Sequence, residues 1–456
     1  MHSMASMIAT NRFGLGARPG EAAAAKDDPR GWLMAQLADP ADGLLQAGGL
    51  EASHEALTRW YAFQARRRAA LKASDGDGDA LREAMAGTDN PRSRLQAEIA
   101  ARTRFAVTTA QPFRERLVRF WSNHFTVSTA RNVVTPVAGA FEREVIRPSL
   151  GGAFTDLLLA AETHPAMLLY LDNAQSVGPN SRAGRRQGRG LNENLAREIL
   201  ELHTLGVDGG YTQADVTEFA RALTGWTVGG PREGQPTGRT WFDDRRHEPG
   251  KRTVLGRVHG ESGREQALEV LRDLATRPQT ARFLATGLAR HFVADAPPAA
   301  AVARIEKAFI ESGGQLAAVH AALVACDEAW VGGPTKFKSP EEFRISAFRA
   351  LGPKAPASRI VRSAFETLGQ VPFSAPSPAG WPDLAEHWLG PDAVRKRLEW
   401  SQATAEQLGG RIDPRALLDE ALGAQASTRT RSAVAGADSV EQGLVLALMA
   451  PEFQRR

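Results

Sequence analysis

Leu191-Asn-Glu-Asn-Leu-Ala-Arg-Glu-Ile-Leu-Glu-Leu-His-Thr-Leu-Gly206 decides the fold class, because polar and apolar residues recur along it at helical spacing. Asn192 can accept one of the first free backbone N–H groups, and Gly206 can take the left-handed conformation that ends a helix. At about 100° per residue, Asn194, Arg197, Glu198 and Glu201 share one face while Leu195, Ile199, Leu202 and His203 share the other. The segment reads as a helix with a carboxylate-rich outer stripe. A ferritin-type set needs Glu and His three apart on one face. Glu201 and His203 are two apart and point away from each other, so His203 is better placed to meet His124 across a helix interface.

The flanking segments extend the helical pattern. Pro112 opens a helix to about Ser128, with Phe113, Leu117, Phe120, Trp121, His124 and Phe125 on its apolar stripe and Arg114, Arg116 and Arg119 to the sides. His124 therefore points inward, as a hydrogen-bonded core residue or as a ligand. The apolar run from Ala161 ends at Asp172-Asn173, and Gln175 to Gly190, with Arg182, Arg185, Arg186 and Arg189, reads as a mobile basic loop. If that loop brings its ends together, Asp172, Asn173, Asn192 and Asn194 converge; otherwise they are two helix caps.

Thr212 to Asp215 is a capping-box-like start, and the helical pattern breaks after Gly225. Residues 229–260 read as a β-hairpin insertion, Arg239 to Asp243 pairing with Arg252 to Leu255 around a tip that presents His247, Glu248 and Lys251. Helical spacing resumes at Arg264 and reaches the end, with Ser339-Pro-Glu-Glu342 as a capping box. Pro372 to Trp388 is a Pro/Trp-rich loop that packs on the body. The expectation is a mainly α, large multi-helical single domain over residues 8–456 with one small β-hairpin insertion.

Composition narrows the function classes. A chain of 456 residues with 43% hydrophobic content buries a sizeable core, and a net charge of +4 spread along it argues against a dedicated nucleic-acid binder. The single cysteine, Cys326, excludes an internal disulfide and a Cys-based metal knuckle. The first residues show no basic and apolar signal, and no run is long enough to span a membrane. As written the chain is expected in the cytoplasm; a start that omits an export signal would place it in the periplasm or outside. Asp75 to Asp79 fails as a calcium loop at the Gly and Glu positions, and no nucleophile elbow, Walker loop or His-Glu-x-x-His helix is present.

Taken together, several stretches resemble the bacterial family known as domain of unknown function 1800. They include Asn11-Arg-Phe-Gly-Leu-Gly-Ala-Arg-Pro-Gly20, Arg119-Phe-Trp-Ser-Asn-His-Phe-Thr126, Gly190 to Val207, Tyr211 to Val216, Leu223-Thr-Gly-Trp226, Lys338-Ser-Pro340, Gly380-Trp-Pro382 and Pro451-Glu-Phe-Gln-Arg-Arg456. The resemblance covers nearly the whole chain, and departs from the family pattern at Ser122, where a first histidine is common. It implies a largely helical protein, without an assigned activity, whose relatives often carry export signals and neighbour a sulfatase-like protein.

The resemblance also implies that polar residues on separate elements form one pocket. Glu193, Glu198, His124 and His203 are then the candidate catalytic groups, and Asp172, Asn173, Asn192, Asn194, Arg197, His247 and Lys251 the candidate substrate contacts. A divalent metal ion is the cofactor such a set would take, with Glu198, His203 and His124 as ligands. The expected activity is that of a hydrolase or transferase on an envelope glycan or other polar polymer. The alternative is a non-catalytic binding partner of the sulfatase-like protein.

Overall fold

A computed structural model describes residues 3–38, 45, 48–75, 77–86, 90–187, 190–232, 234–352 and 365–456. Helices dominate, and the described strands form two antiparallel two-stranded sheets. No described helix is long and apolar enough to cross a membrane.

Two apolar clusters organise the chain. The larger draws on residues from Ile8 to Ala329 and includes the wholly buried Phe113, Leu117 and Trp121 of the Pro112–His124 helix. The second joins the Pro340–Leu351 helix to Pro391–Leu408, Pro414–Ala421 and Val440–Leu448 near the end of the chain. The first residues bind back to the last third, since Asn11 Nδ2 donates to the Ala421 carbonyl at 3.0 Å.

The Pro112–His124 helix is apolar on one side only, yet Arg114, Glu115, Arg116 and Arg119 are all buried too. Its charged face lies against the Pro340–Leu351 helix, so Arg116 and Arg119 ion-pair with Glu342 and Glu341. Burying so many charges is tolerable because Glu115, Arg116 and Arg119 find opposite partners and Arg114 donates to the Arg147 carbonyl.

The Leu191 to Gly206 stretch is helical but not uniformly α. Asn194–Glu198 is α-helix and Ile199–Thr204 is π-helix. Thr204 Oγ1 donates to the Ile199 carbonyl at 2.7 Å and Leu205 N–H to Leu200, and Gly206 ends the run at φ 85°. The wider turn changes which side chains share a face. His203 is driven wholly into the core, while Leu202, expected to be buried, is only half-buried.

The hairpin pairing expected from the sequence is not the one formed. β1, Trp226–Val228, pairs with β2, Thr240–Phe242, and β3, Arg252–Val254, pairs with β4, Arg257–His259. The cause is the turn at Leu255-Gly256, where both residues have positive φ (49° and 77°) as a tight two-residue hairpin requires. Leucine is a poor residue for that conformation, so the turn leaves little trace in sequence. Its amide donates to Asp215 Oδ1 at 2.6 Å, a tertiary contact that helps hold it.

Candidate functional site

The residues proposed from the sequence separate into three places. On the outer surface, Arg197 lies between Glu193 (3.4 Å) and Glu201 (3.7 Å) and donates to Gln213. Glu193 accepts from Thr217 at 2.7 Å and from Gln213 at 2.8 Å, bonds that hold its carboxyl below the usual range. These contacts latch the 193–204 segment to the Gln213–Leu223 helix. Glu198, half-buried, has its pKa raised by burial.

A second group is consumed by backbone contacts and an ion pair. Asn173 is buried and donates to the Leu223 and Trp226 carbonyls, Asp172 pairs with Arg131, and Asn192 Oδ1 accepts from Asn194 N–H at 2.9 Å. The ends of the basic loop do lie together, since Asn192 N–H donates to Ser176 Oγ. Residues 176–187 fold onto the insertion, where Asn180 donates twice to Glu248; Arg182, Arg185 and Arg186 are exposed, and Arg189 lies outside the described residues. The tip does not present His247 and Glu248. Both are buried, His247 Nδ1 donating to the Thr224 carbonyl at 2.8 Å, and only Lys251 is exposed.

The third place is the histidine pair. His124 Nε2 lies 3.1 Å from the His203 carbonyl, and His203 Nδ1 lies 2.8 Å from Glu162 Oε1, both of the latter side chains fully buried. A carbonyl only accepts, so His124 carries its proton on Nε2 and keeps Nδ1 as a lone-pair nitrogen. Burial and the neighbouring His203 push the His124 pKa down to about 3, so the ring is neutral. Among the described residues no group of three or more His, Cys, Asp or Glu is placed to hold a metal ion. The expected ligand set of Glu198, His203 and His124 is therefore not assembled.

His124 alone of the proposed residues lines the large cavity, a space of about 810 Å³. One wall is a single face of the Pro278–Phe292 helix, carrying Gln279, Arg282, Phe283, Thr286, Gly287 and Arg290. Opposite stand Phe373 and Trp381 from the Pro/Trp-rich loop. That loop is seated by Asn123, whose Nδ2 donates to the Trp381 carbonyl at 2.9 Å and whose Oδ1 accepts from Trp381 N–H at 2.7 Å.

Gly380 makes the approach possible: at φ 79° a Cβ would meet the Asn123 carbonyl oxygen at 2.6 Å. Gly380→Ala should therefore lower stability by roughly 1–3 kcal/mol and shift the Trp381 fluorescence. A melting temperature equal to wild type would show that the loop is not held in this way.

The floor is a lattice of ion pairs. Arg147, wholly buried, reaches Glu115 and Glu142, each at 2.7 Å; Arg102 bonds Glu142 at 2.6 Å and shares Glu341 with Arg119. Ser122 Oγ adds a bond to Glu142 at 3.0 Å. Nearby, His291 Nδ1 lies 3.0 Å from Asp383, and Arg456 pairs with Glu342 at 2.8 Å and donates to the His291 carbonyl. Burial alone would raise the Asp383 pKa, but His291, Lys336 and Arg456 hold it at about 2. The capping box expected at Ser339-Pro-Glu-Glu342 also forms: Glu342 reaches back to Ser339 N–H at 2.8 Å. The second partners of Glu341 and Glu342 come from residues far along the chain, which spacing does not reveal.

Fold and site together define a mainly helical protein in which a cavity with aromatic walls stands on a buried arginine–carboxylate lattice. The chain belongs to the family described as "Protein of unknown function (DUF1800)", which matches residues 8–455. No curated protein and no solved structure matches it.

Proposed function

We propose that this protein is an enzyme, a hydrolase or transferase, acting on an envelope glycan or other polar polymer bound in the cavity. The observation that carries this reading is the cavity, in which aromatic walls, ionised carboxylates and a neutral histidine surround one ligand-sized space. Phe283, Phe373 and Trp381 suit the apolar faces of a sugar ring, and the polar floor suits its hydroxyls. His124 Nδ1, kept neutral, accepts a hydrogen bond from a ligand hydroxyl and orients it, and the arginines of the floor stabilise negative charge as it develops. Glu193 and Glu198 lie outside the cavity lining and are assigned no step.

Docking to a sulfatase-like partner has less support, because it calls for a broad patch of exposed tryptophans. Trp226 is buried, and Trp241 and Trp381 are half-buried.

The test is to incubate the protein with peptidoglycan and capsular glycans and follow released or transferred fragments by mass spectrometry, alongside His124→Gln. Product formation reduced about 100-fold or more in a variant that melts like wild type supports the assignment. Unchanged turnover removes His124 from the chemistry. Neither turnover nor binding of any glycan by wild type would overturn the reading.

A further inference from the structure

We infer that the cavity takes an anionic linear polymer, a carboxylate-bearing glycan, laid along the Pro278–Phe292 helix; the inference rests on the glycan reading above. Gln279, Arg282, Thr286 and Arg290 recur at helical spacing on the wall that faces the cavity. At about 1.5 Å per residue this row of polar side chains is roughly 16 Å long, an extended track rather than a point contact; the Thr286 hydroxyl donates to the Arg282 carbonyl and offers a ligand its lone pairs, while Gln279, Arg282 and Arg290 supply the donors. Arg290 is exposed and has no ion-pair partner among the described residues, and Arg282 pairs only with Glu306 on its outer side, at 2.8 Å. The lining carboxylates Glu142, Glu341, Glu342 and Asp383 are already engaged by buried cations. Asp208, exposed on the rim, is the opposing charge that a ligand would have to avoid.

The field from beneath favours the same sign. Beside the lattice, where Arg102, Arg119 and Arg147 balance Glu115, Glu142 and Glu341, the buried Arg12, Arg116, Arg397, Arg456 and Lys336 stand against Glu342, Asp383 and Asp295, while burial lowers the Lys338 pKa to about 7 and leaves it only partly charged. A surplus of cations in a poorly solvated region projects positive potential into the space above. Gly287 contributes room. A Cβ there would meet only Phe120, at 3.6 Å, so a side chain can be accommodated without disturbing the helix and would project into the cavity. Glycine inside a helix costs about 1 kcal/mol relative to alanine, a cost offset here by an open track between Thr286 and Arg290.

The experiment compares binding of polygalacturonate with its fully methyl-esterified form, which keeps the sugar backbone and loses the charge. Affinity electrophoresis and calorimetry would be run on wild type, Arg290→Ala, Arg290→Lys and Gly287→Leu, each checked by its melting curve. Wild type should bind the acid form at least about tenfold more tightly, and that preference should weaken with salt. Arg290→Ala should lose about tenfold toward the acid form alone, Arg290→Lys should keep most of it, and Gly287→Leu should abolish binding of both forms.

Equal binding of the two forms, still blocked by Gly287→Leu, would overturn the inference and leave the glycan cavity standing. Binding of neither form overturns it as well, and glycan binding in the panel above then decides separately whether the cavity reading survives. Tight binding of dextran sulfate where polygalacturonate fails would overturn the commitment to carboxylates.

Discussion

Glu142→Gln is expected to destabilise the protein by roughly 3–5 kcal/mol, the range for breaking a buried charge pair by removing one partner. Glu142 is almost completely buried and accepts from Arg102, Arg147 and Ser122. Without its charge, Arg102 falls back on Glu341, which it shares with Arg119, and Arg147 on Glu115. Burial by itself would raise the Glu142 pKa, but Arg102 and Arg147 outweigh it and hold the carboxyl well below the usual range. A depressed folded pKa means that the stabilisation is complete above the unfolded value, near pH 4, and is lost as pH falls further. The deficit of the variant should therefore be full at neutral pH and shrink only in strong acid. Urea unfolding at neutral pH measures it, and a double-mutant cycle with Arg102→Met isolates the pair. A loss below about 1 kcal/mol would place the lattice among weakly contributing surface pairs.

Acid should weaken the fold well before the carboxylates titrate, through histidines buried in neutral form. His320 has no exposed surface and its Nε2 accepts from Trp121 Nε1 at 3.3 Å. Burial, with a smaller push from Arg114, lowers its pKa to about 3. Below about pH 6.5 the unfolded chain takes a proton that the folded site refuses, so stability falls as pH falls, by about 1.4 kcal/mol per pH unit for this group. Between about pH 6.5 and about pH 4.5 that amounts to roughly 3 kcal/mol. His124 acts in the same direction. His320→Gln keeps an acceptor for Trp121 but cannot titrate, so its urea midpoint should depend less on pH over this window. An unchanged pH dependence in the variant would assign the effect to other groups.

The helical class, the stop at Gly206, the cap at Ser339 and the inward placement of His124 and His203 could all be read from the chain, because each depends on residues within a few positions. The same local reading failed at Leu255-Gly256, whose turn is supported from Asp215, and at Ile199–Thr204, where a π-helix replaces the even 100° step. Of the residues it singled out, His124 alone lines the large cavity. Glu193, Arg197 and Glu201 form a polar stripe in sequence, and in the fold they pair with one another and with Gln213. The cavity takes its wall from Pro278–Phe292 and its floor from Arg102, Glu142 and Glu341.

Sequence alone thus determined the helical architecture and the family, since periodicity, caps and motif strings are short-range properties. The tertiary structure decided the cavity, because Arg102 meets Glu341 across 239 positions and Asn123 meets Trp381 across 258, and no local spacing encodes a contact of that range.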